Sequence, residues 1–337
     1  MKIGFFGIEG WEEKIISERL SKHELFFSPD KIDERNLPEK NDFEALSIFI
    51  DSEIKEKEID HFPNLKFIAT RSTGFDHIDA EAAKRAGVLV SSVPGYGENT
   101  VAEFAFGLIL SLARKIYPAI DQIKESGSFS LVGLRGFELK GKTIGIVGTG
   151  RIGKQVAEIA KGFEMKILAS DPYPDEEFKK RLNVEYVPLK DLLSQSDIIT
   201  LHCPYNESTH HLINKESVKD IKKGALLVNT SRGAVVETEA LVTALEDGTI
   251  SGAGLDVLEE EGEVKDELNF LTSPHPQAES LKTVLYDHIL MNMPNVLVTP
   301  HNAFNTNEAL GEILETTLKN IEAFISGSPI NLIPGVK

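Results

Sequence analysis

Three short segments, each following an apolar run that reads as a strand, carry side chains able to handle protons and charge. They are Asn229-Thr230-Ser231-Arg232-Gly233, Gly254-Leu255-Asp256-Val257-Leu258-Glu259-Glu260-Glu261 and Pro300-His301-Asn302-Ala303-Phe304. An imidazole such as His301 can give or take a proton near neutral pH. The planar fork of Arg232 can hold a carboxylate through two hydrogen bonds, which a lysine ammonium cannot do. A carboxylate beside an imidazole favours its protonated form, and Glu259, Glu260 and Glu261 are all available for that pairing.

A fourth segment points to a bound anion. The run Thr143-Ile144-Gly145-Ile146-Val147 leads into Gly148-Thr149-Gly150-Arg151-Ile152-Gly153, then into good helix formers, and Asp171 stands at the end of the next predicted strand. Strand, G-x-G-x-x-G, helix and a following acid together make a dinucleotide fingerprint. Gly148 allows the tight turn, Gly150 lets backbone approach a pyrophosphate, and Gly153 lets helix and strand pack closely. The phosphates then sit on a helix N-terminus. Asp171 accepts both ribose hydroxyls and repels a 2′-phosphate, so NAD is expected over NADP. Arg151 either steadies the pyrophosphate or lies in solvent.

These residues need a scaffold that brings strand ends together. Short apolar runs alternate with helical segments, the pattern of βαβ units and a parallel sheet. A first series of strands is expected at Lys2–Phe6, Glu24–Ser28, Leu46–Asp51, Leu65–Thr70 and Val88–Val93, and a second at Thr143–Val147, Lys166–Ser170, Ile198–His202, Ala225–Thr230, Ser251–Val257 and Val296–Thr299. Between the two series, Thr100-Val101-Ala102-Glu103 has capping-box spacing, so a long apolar helix is expected to start there and run to Ile116. Asn307–Ser326 reads as an amphipathic helix returning to the first domain. The expected fold class is therefore α/β, with two doubly wound parallel-sheet domains. Residues 1–99 plus 300–337 form a flavodoxin-like substrate domain, and residues 100–299 form an inserted Rossmann NAD-binding domain. Gly262–Met293, broken by Pro274 and Pro276, reads as an irregular excursion.

Composition narrows the function. The 337 residues include 36 Lys plus Arg and 53 Asp plus Glu, a formal charge of −17, which disfavours nucleic acid and anionic membranes as partners. The longest apolar stretch, Val101–Leu112, falls short of the roughly 20 residues that span a bilayer and reads as a buried core helix. The first ten residues hold no apolar run of signal-peptide length, so a cytoplasmic location is expected. The single cysteine, Cys203, excludes an internal disulfide and a multi-thiolate metal site. His210 and His211 are adjacent and expected to point apart, so no metal is assigned. The apolar helix Val101–Ile116 motivates a homodimer.

Taken in order, the glycine turn with Asp171, Asn-Thr-Ser-Arg-Gly, Gly-Leu-Asp-Val-x-Glu-x-Glu and Thr-Pro-His resemble the D-isomer-specific 2-hydroxyacid dehydrogenase family over about residues 65–310. The resemblance implies hydride transfer between NAD and a small 2-oxo or 2-hydroxy acid. It makes His301 the acid/base, Glu261 its partner and Arg232 the carboxylate clamp. Asp256 matches the position that holds the nicotinamide carboxamide, Cys203 and Pro204 wall the adenine, and Ile152 and Thr230 complete the cofactor set. In Arg71-Ser72-Thr73-Gly74, the backbone amides of Thr73 and Gly74 would receive the substrate carboxylate. Tyr96 and Phe304 stand at positions that are Tyr and Phe in the D-lactate dehydrogenase-like subgroup. The expected activity is therefore reduction of pyruvate to D-lactate. The alternatives are a reductase of hydroxypyruvate, glyoxylate or phenylpyruvate, or an NAD-sensing protein of the co-repressor type. Phe104, where the family usually has His, and Asn305, where the lactate subgroup tends to have Tyr, depart from the pattern.

Overall fold

Alternating strands and helices build two parallel sheets. The computed structural model describes residues 1–261 and 278–335. The first sheet has strands β1 (Lys2–Phe6), β2 (Glu24–Ser28), β3 (Ala45–Ile48), β4 (Phe67–Thr70) and β5 (Leu89–Ser91), in the order β2-β1-β3-β4-β5. This is the flavodoxin-like order. The second has β6 (Thr143–Val147), β7 (Lys166–Ser170), β8 (Glu185–Tyr186), β9 (Ile198–Leu201), β10 (Ala225–Asn229), β11 (Ile250–Leu255) and β12 (Val296–Val298), ordered β12-β11-β10-β9-β6-β7-β8. The order reverses between β6 and β9, as in a Rossmann sheet. The two-residue β8 was not expected, being too short to show a pattern.

The chain divides into two compact units, Met1–Tyr96 with Thr306–Lys337, and Gly97–Asn305. The second crossing falls after Asn305 rather than before Pro300, because His301, Asn302 and Ala303 are hydrogen-bonded to Asp256 of the second unit. In the first unit, the helix Asn307–Ile325 lays Leu314, Leu318 and Ile321 against Ile3, Phe5 and Phe67. The buried Arg71 donates to the Phe6 carbonyl at 3.0 Å and faces Glu12, tying the end of β4 to that of β1.

The long helix of the second unit differs from expectation at both ends. It spans Glu98–Ala113, with Gly97 at its N-cap in the left-handed region, so Thr100 and Glu103 lie inside the helix and form no capping box. Glu103 instead accepts from Asn99 Nδ2. At the other end Lys115 is left-handed and a separate helix, Ile116–Ser126, follows. Pro118 lacks the N–H that would have continued the first helix, but is tolerated in the first turn of a new one. Ala102, Ala105, Phe106, Ile109 and Ala113 are buried against Ile144, Ile146 and Val156. The apolar surface of that helix is therefore spent within its own unit. Gly254 allows this packing, since a Cβ there would lie 3.0 Å from that of Leu108. Of the expected irregular excursion, residues 262–277 lie outside the described residues, whereas Ala278–Asn292 is a helix that buries Val284, Asp287 and Leu290. Among the described residues no helix is long and apolar enough to cross a membrane.

Candidate active site

All strands of the second sheet are parallel, so the segments that follow them leave from one edge. β6 neighbours β7 and β9, while β10, β11 and β12 are consecutive neighbours. Gly148 has φ +90°, and a Cβ there would lie 2.7 Å from the Cys203 amide nitrogen. At Gly153 a Cβ would lie 2.0 Å from the Gly148 carbonyl oxygen. No atom lies within 4 Å of a Cβ built on Gly150, which is exposed and begins the helix Arg151–Gly162 without a side-chain cap. The first amides of that helix thus keep their capacity to hold an anion.

Asp171 is fixed beside this turn. One carboxylate oxygen accepts from Thr149 N–H at 2.6 Å and Thr149 Oγ1 at 3.1 Å, and the other from Tyr173 N–H at 2.8 Å. A carboxylate has about four acceptor positions, so capacity for a ribose hydroxyl remains. The cradle that side chains would fill and the oriented acid both fit a dinucleotide. Arg151 is exposed, 3.7 Å from Glu98, and Ile152 packs on the core. Burial pushes the Cys203 thiol up to about 11, so it is a protonated, apolar surface rather than a nucleophile. Desolvation likewise drives His202 down to about 3, leaving it neutral beside Thr200 and Thr230. Pro204 is exposed.

The turn after β10 is braced by Asn229. Its Oδ1 accepts from Ser231 N–H and Oγ, and its Nδ2 donates to the Arg232 carbonyl. Gly233 is obligatory here, since a Cβ would lie 1.9 Å from the Leu258 carbonyl oxygen. That approach presses the Arg232 turn against the segment after β11. Asn229 and Gly233 were visible in the motif, but their bracing roles follow only from these contacts.

Asp256 is fully buried and serves the His301 loop. One oxygen accepts from Thr299 Oγ1 at 2.5 Å and Asn302 N–H at 2.8 Å, the other from Ala303 N–H at 2.8 Å. Desolvation raises its pKa, opposed by these hydrogen bonds and by His301. His301 itself has φ +52°, a conformation that costs a β-carbon residue about 1–3 kcal/mol. Its N–H donates to the Asp256 and Thr299 carbonyls, which hold it there. Its Nδ1 lies 3.2 Å from both oxygens of Glu261.

The rival Glu259 is engaged elsewhere. One of its oxygens accepts from Thr238 N–H and Oγ1, and the other pairs with His211 Nε2. His210 and His211 do not point apart as expected, since their rings stack at 3.9 Å because His211 is left-handed. Among the described residues no group of three or more side chains could hold a metal ion. Behind the glutamate run lies Asp287, whose carboxylate oxygens have no hydrogen-bond partner in good geometry among the described residues. Burial pushes it up to about 7, aided by the charges of Glu259, Glu260 and Glu261 and opposed by the Glu260 backbone amide.

Phe304 belongs to the second unit, its ring centroid 6.4 Å from that of His301. Thr73, Gly74 and Tyr96 belong to the first. There Thr73 Oγ1 donates to the Val93 carbonyl at 2.8 Å, which ties the turn after β4 to the chain leaving β5.

Comparison with known proteins shows the family. Residues 106–303 match the family described as D-isomer specific 2-hydroxyacid dehydrogenase, NAD binding domain. The D-lactate dehydrogenase of Escherichia coli is 36% identical over 334 residues, 97% of this chain and 98% of that protein. A glyoxylate reductase of Korarchaeum cryptofilum is 37% identical over 330 residues, 94% of this chain and 93% of that protein. The structure of D-lactate dehydrogenase from Aquifex aeolicus, complexed with NAD and lactic acid, superposes with a TM-score of 0.86 at 35% identity, covering 97% of this chain and 96% of that one. The chain belongs to the D-isomer specific 2-hydroxyacid dehydrogenases, NAD-dependent oxidoreductases that act on 2-hydroxy acids.

Proposed function

We propose that the protein reduces pyruvate to D-lactate. The observation that carries the reading is the His301–Glu261 pair, with Nδ1 at 3.2 Å from both carboxylate oxygens, on an edge shared with Arg232. Bound NADH supplies the hydride that reduces C2. Pairing at Nδ1 fixes the ring so that Nε2 carries the proton given to the carbonyl oxygen. Arg232 holds the carboxylate through its two-pronged guanidinium. The first unit is the substrate domain of this reading, its amides of Thr73 and Gly74 being the groups that receive a 2-oxo acid's carboxylate. Tyr96 and Phe304 limit the side chain at C3.

Gly148, Gly150, Gly153 and Ile152 receive the cofactor, with Arg151 near its pyrophosphate. Asp171 reads its ribose, and Cys203, Pro204 and Thr230 line the adenine side. Pyruvate as substrate is supported by the likeness to the Escherichia coli and Aquifex aeolicus lactate enzymes.

The working form is a cytoplasmic homodimer. Its contact surface is the helix Ile116–Ser126 and the segment after it, where Ile116, Tyr117, Ile120, Ile123, Phe129 and Leu131 are exposed. A continuous run of large apolar side chains on the surface favours burial against a second copy.

Initial rates of NADH oxidation with pyruvate, glyoxylate, hydroxypyruvate and phenylpyruvate test the substrate. The highest kcat/KM is expected with pyruvate. A higher value for glyoxylate would move this chain to the activity named for its Korarchaeum relative.

A further inference from the structure

The turn after β4 contains a chain of hydrogen bonds whose direction follows from counting protons. Ser72 Oγ donates to the Gly74 carbonyl at 2.6 Å, which uses the one proton of that hydroxyl. Thr70 Oγ1 lies 2.7 Å from Ser72 Oγ and must therefore be the donor to it. Its own proton is then spent, so the 3.0 Å contact between Thr70 Oγ1 and His77 Nε2 requires that nitrogen to carry a hydrogen. Thr70 and Ser72 are fully buried, which shields the chain from competing water. It runs in one direction, from His77 through Thr70 and Ser72 to the carbonyl of Gly74.

The neighbouring peptide is held from the other side. Val93 N–H donates to the Ser72 carbonyl at 2.9 Å. In a trans peptide the C=O and the following N–H point in opposite directions, so this bond turns the Thr73 N–H away from Val93. Among the described residues neither the Thr73 nor the Gly74 N–H has an acceptor, and Thr73 is exposed. Two amides without an acceptor among the described residues thus stand on a turn clamped at the carbonyls of Ser72 and Gly74.

We infer that His77 is a positioning residue for substrate binding, which through Thr70 and Ser72 holds the amides of Thr73 and Gly74 ready for a carboxylate. This rests on the reading that those amides receive the carboxylate of a 2-oxo acid. A donor at the head of the chain is what the site needs from residue 77, and a side chain without one leaves the turn free to rotate.

The experiment compares wild type, His77→Leu, His77→Gln and Thr70→Val by steady-state pyruvate reduction, with NADH affinity measured by fluorescence. His77→Leu and Thr70→Val should each raise KM for pyruvate about five- to tenfold, with kcat within about threefold and NADH affinity unchanged. His77→Gln, whose amide can donate to Thr70, should stay within about twofold of wild type. Thr70→Val is isosteric and keeps the test open should leucine at 77 prevent folding. An unchanged KM in Thr70→Val overturns the proposal while leaving the enzyme reading intact. A parallel loss of kcat, KM and NADH affinity in all three variants reduces His77 to a residue of the fold and overturns it also. A wild type that turns over no 2-oxo acid overturns both.

Discussion

Asp256→Asn separates two roles for the most buried acid of the site. The carboxylate accepts from Thr299 Oγ1 and Asn302 N–H on one oxygen and from Ala303 N–H on the other. An asparagine has a single oxygen. Placed where two donors converge, it keeps both bonds but sets its own NH2 against the Ala303 N–H, at a residue only 4% exposed. One buried amide without an acceptor costs about 1–3 kcal/mol. The left-handed backbone of His301 stores about 1–3 kcal/mol that a loosened loop is free to release. If the cost appears in the placement of the imidazole, kcat for pyruvate reduction falls about five- to 150-fold. NADH affinity, read by fluorescence titration, should stay within about threefold, because the clamp acts on the His301 loop. The opposite pattern, kcat near wild type with NADH bound about tenfold more weakly, would refute this reasoning and favour the nicotinamide contact that the family resemblance implies.

Four further outcomes are expected. His301→Asn, in which asparagine tolerates the left-handed backbone, should lower kcat by about 10²–10⁴-fold and leave NADH binding intact, and near-normal turnover would remove His301 from the chemistry. Asp171→Ala should narrow the preference for NADH over NADPH, since the acid that repels a 2′-phosphate is gone; an unchanged ratio would mean that the ribose is read elsewhere. Because Asp287 is raised to about 7 in the folded chain, its own contribution to stability should decline as pH rises from about 4 to 7 and level off above, by an amount on the order of 4 kcal/mol; neutral His202 acts in the opposite direction below about pH 6.5, so the contribution is read as the difference between wild type and Asp287→Asn. Asp287→Asn should flatten that slope and raise Tm at pH 8, whereas an identical pH dependence in the two proteins would contradict it. Finally, Ile120→Glu with Ile123→Glu should convert a dimer to a monomer by light scattering, and a dimer surviving both charges would place the interface elsewhere.

Much of this protein could be read directly from its residues. Strands β1, β2, β6 and β7 have the bounds expected from the residues; β1, β6 and β7 are largely buried and need continuous hydrophobic residues, whereas β2 is a partly exposed edge strand. Gly148 and Gly153 were identifiable because close backbone approach tolerates few residue types at fixed spacing. Local signals misled where a tertiary contact overrode them. Thr100 and Glu103 have the spacing of a cap, yet Gly97 begins the helix; the apolar run that reads as a buried core helix does lie in the core.

The sequence by itself determined the fold class, the glycine turn and the strand-end residues from which the proposed site is drawn. These follow from periodicity and from residue types that nothing else replaces. Tertiary structure decided which of those residues meet. Glu261 rather than Glu259 reaches His301, because Thr238 and His211 occupy Glu259. Asp256 is aimed at the His301 loop, and His77 heads a chain ending at Gly74. A hydrogen bond depends on distance and direction between groups far apart in the chain, and neither quantity is encoded in local order.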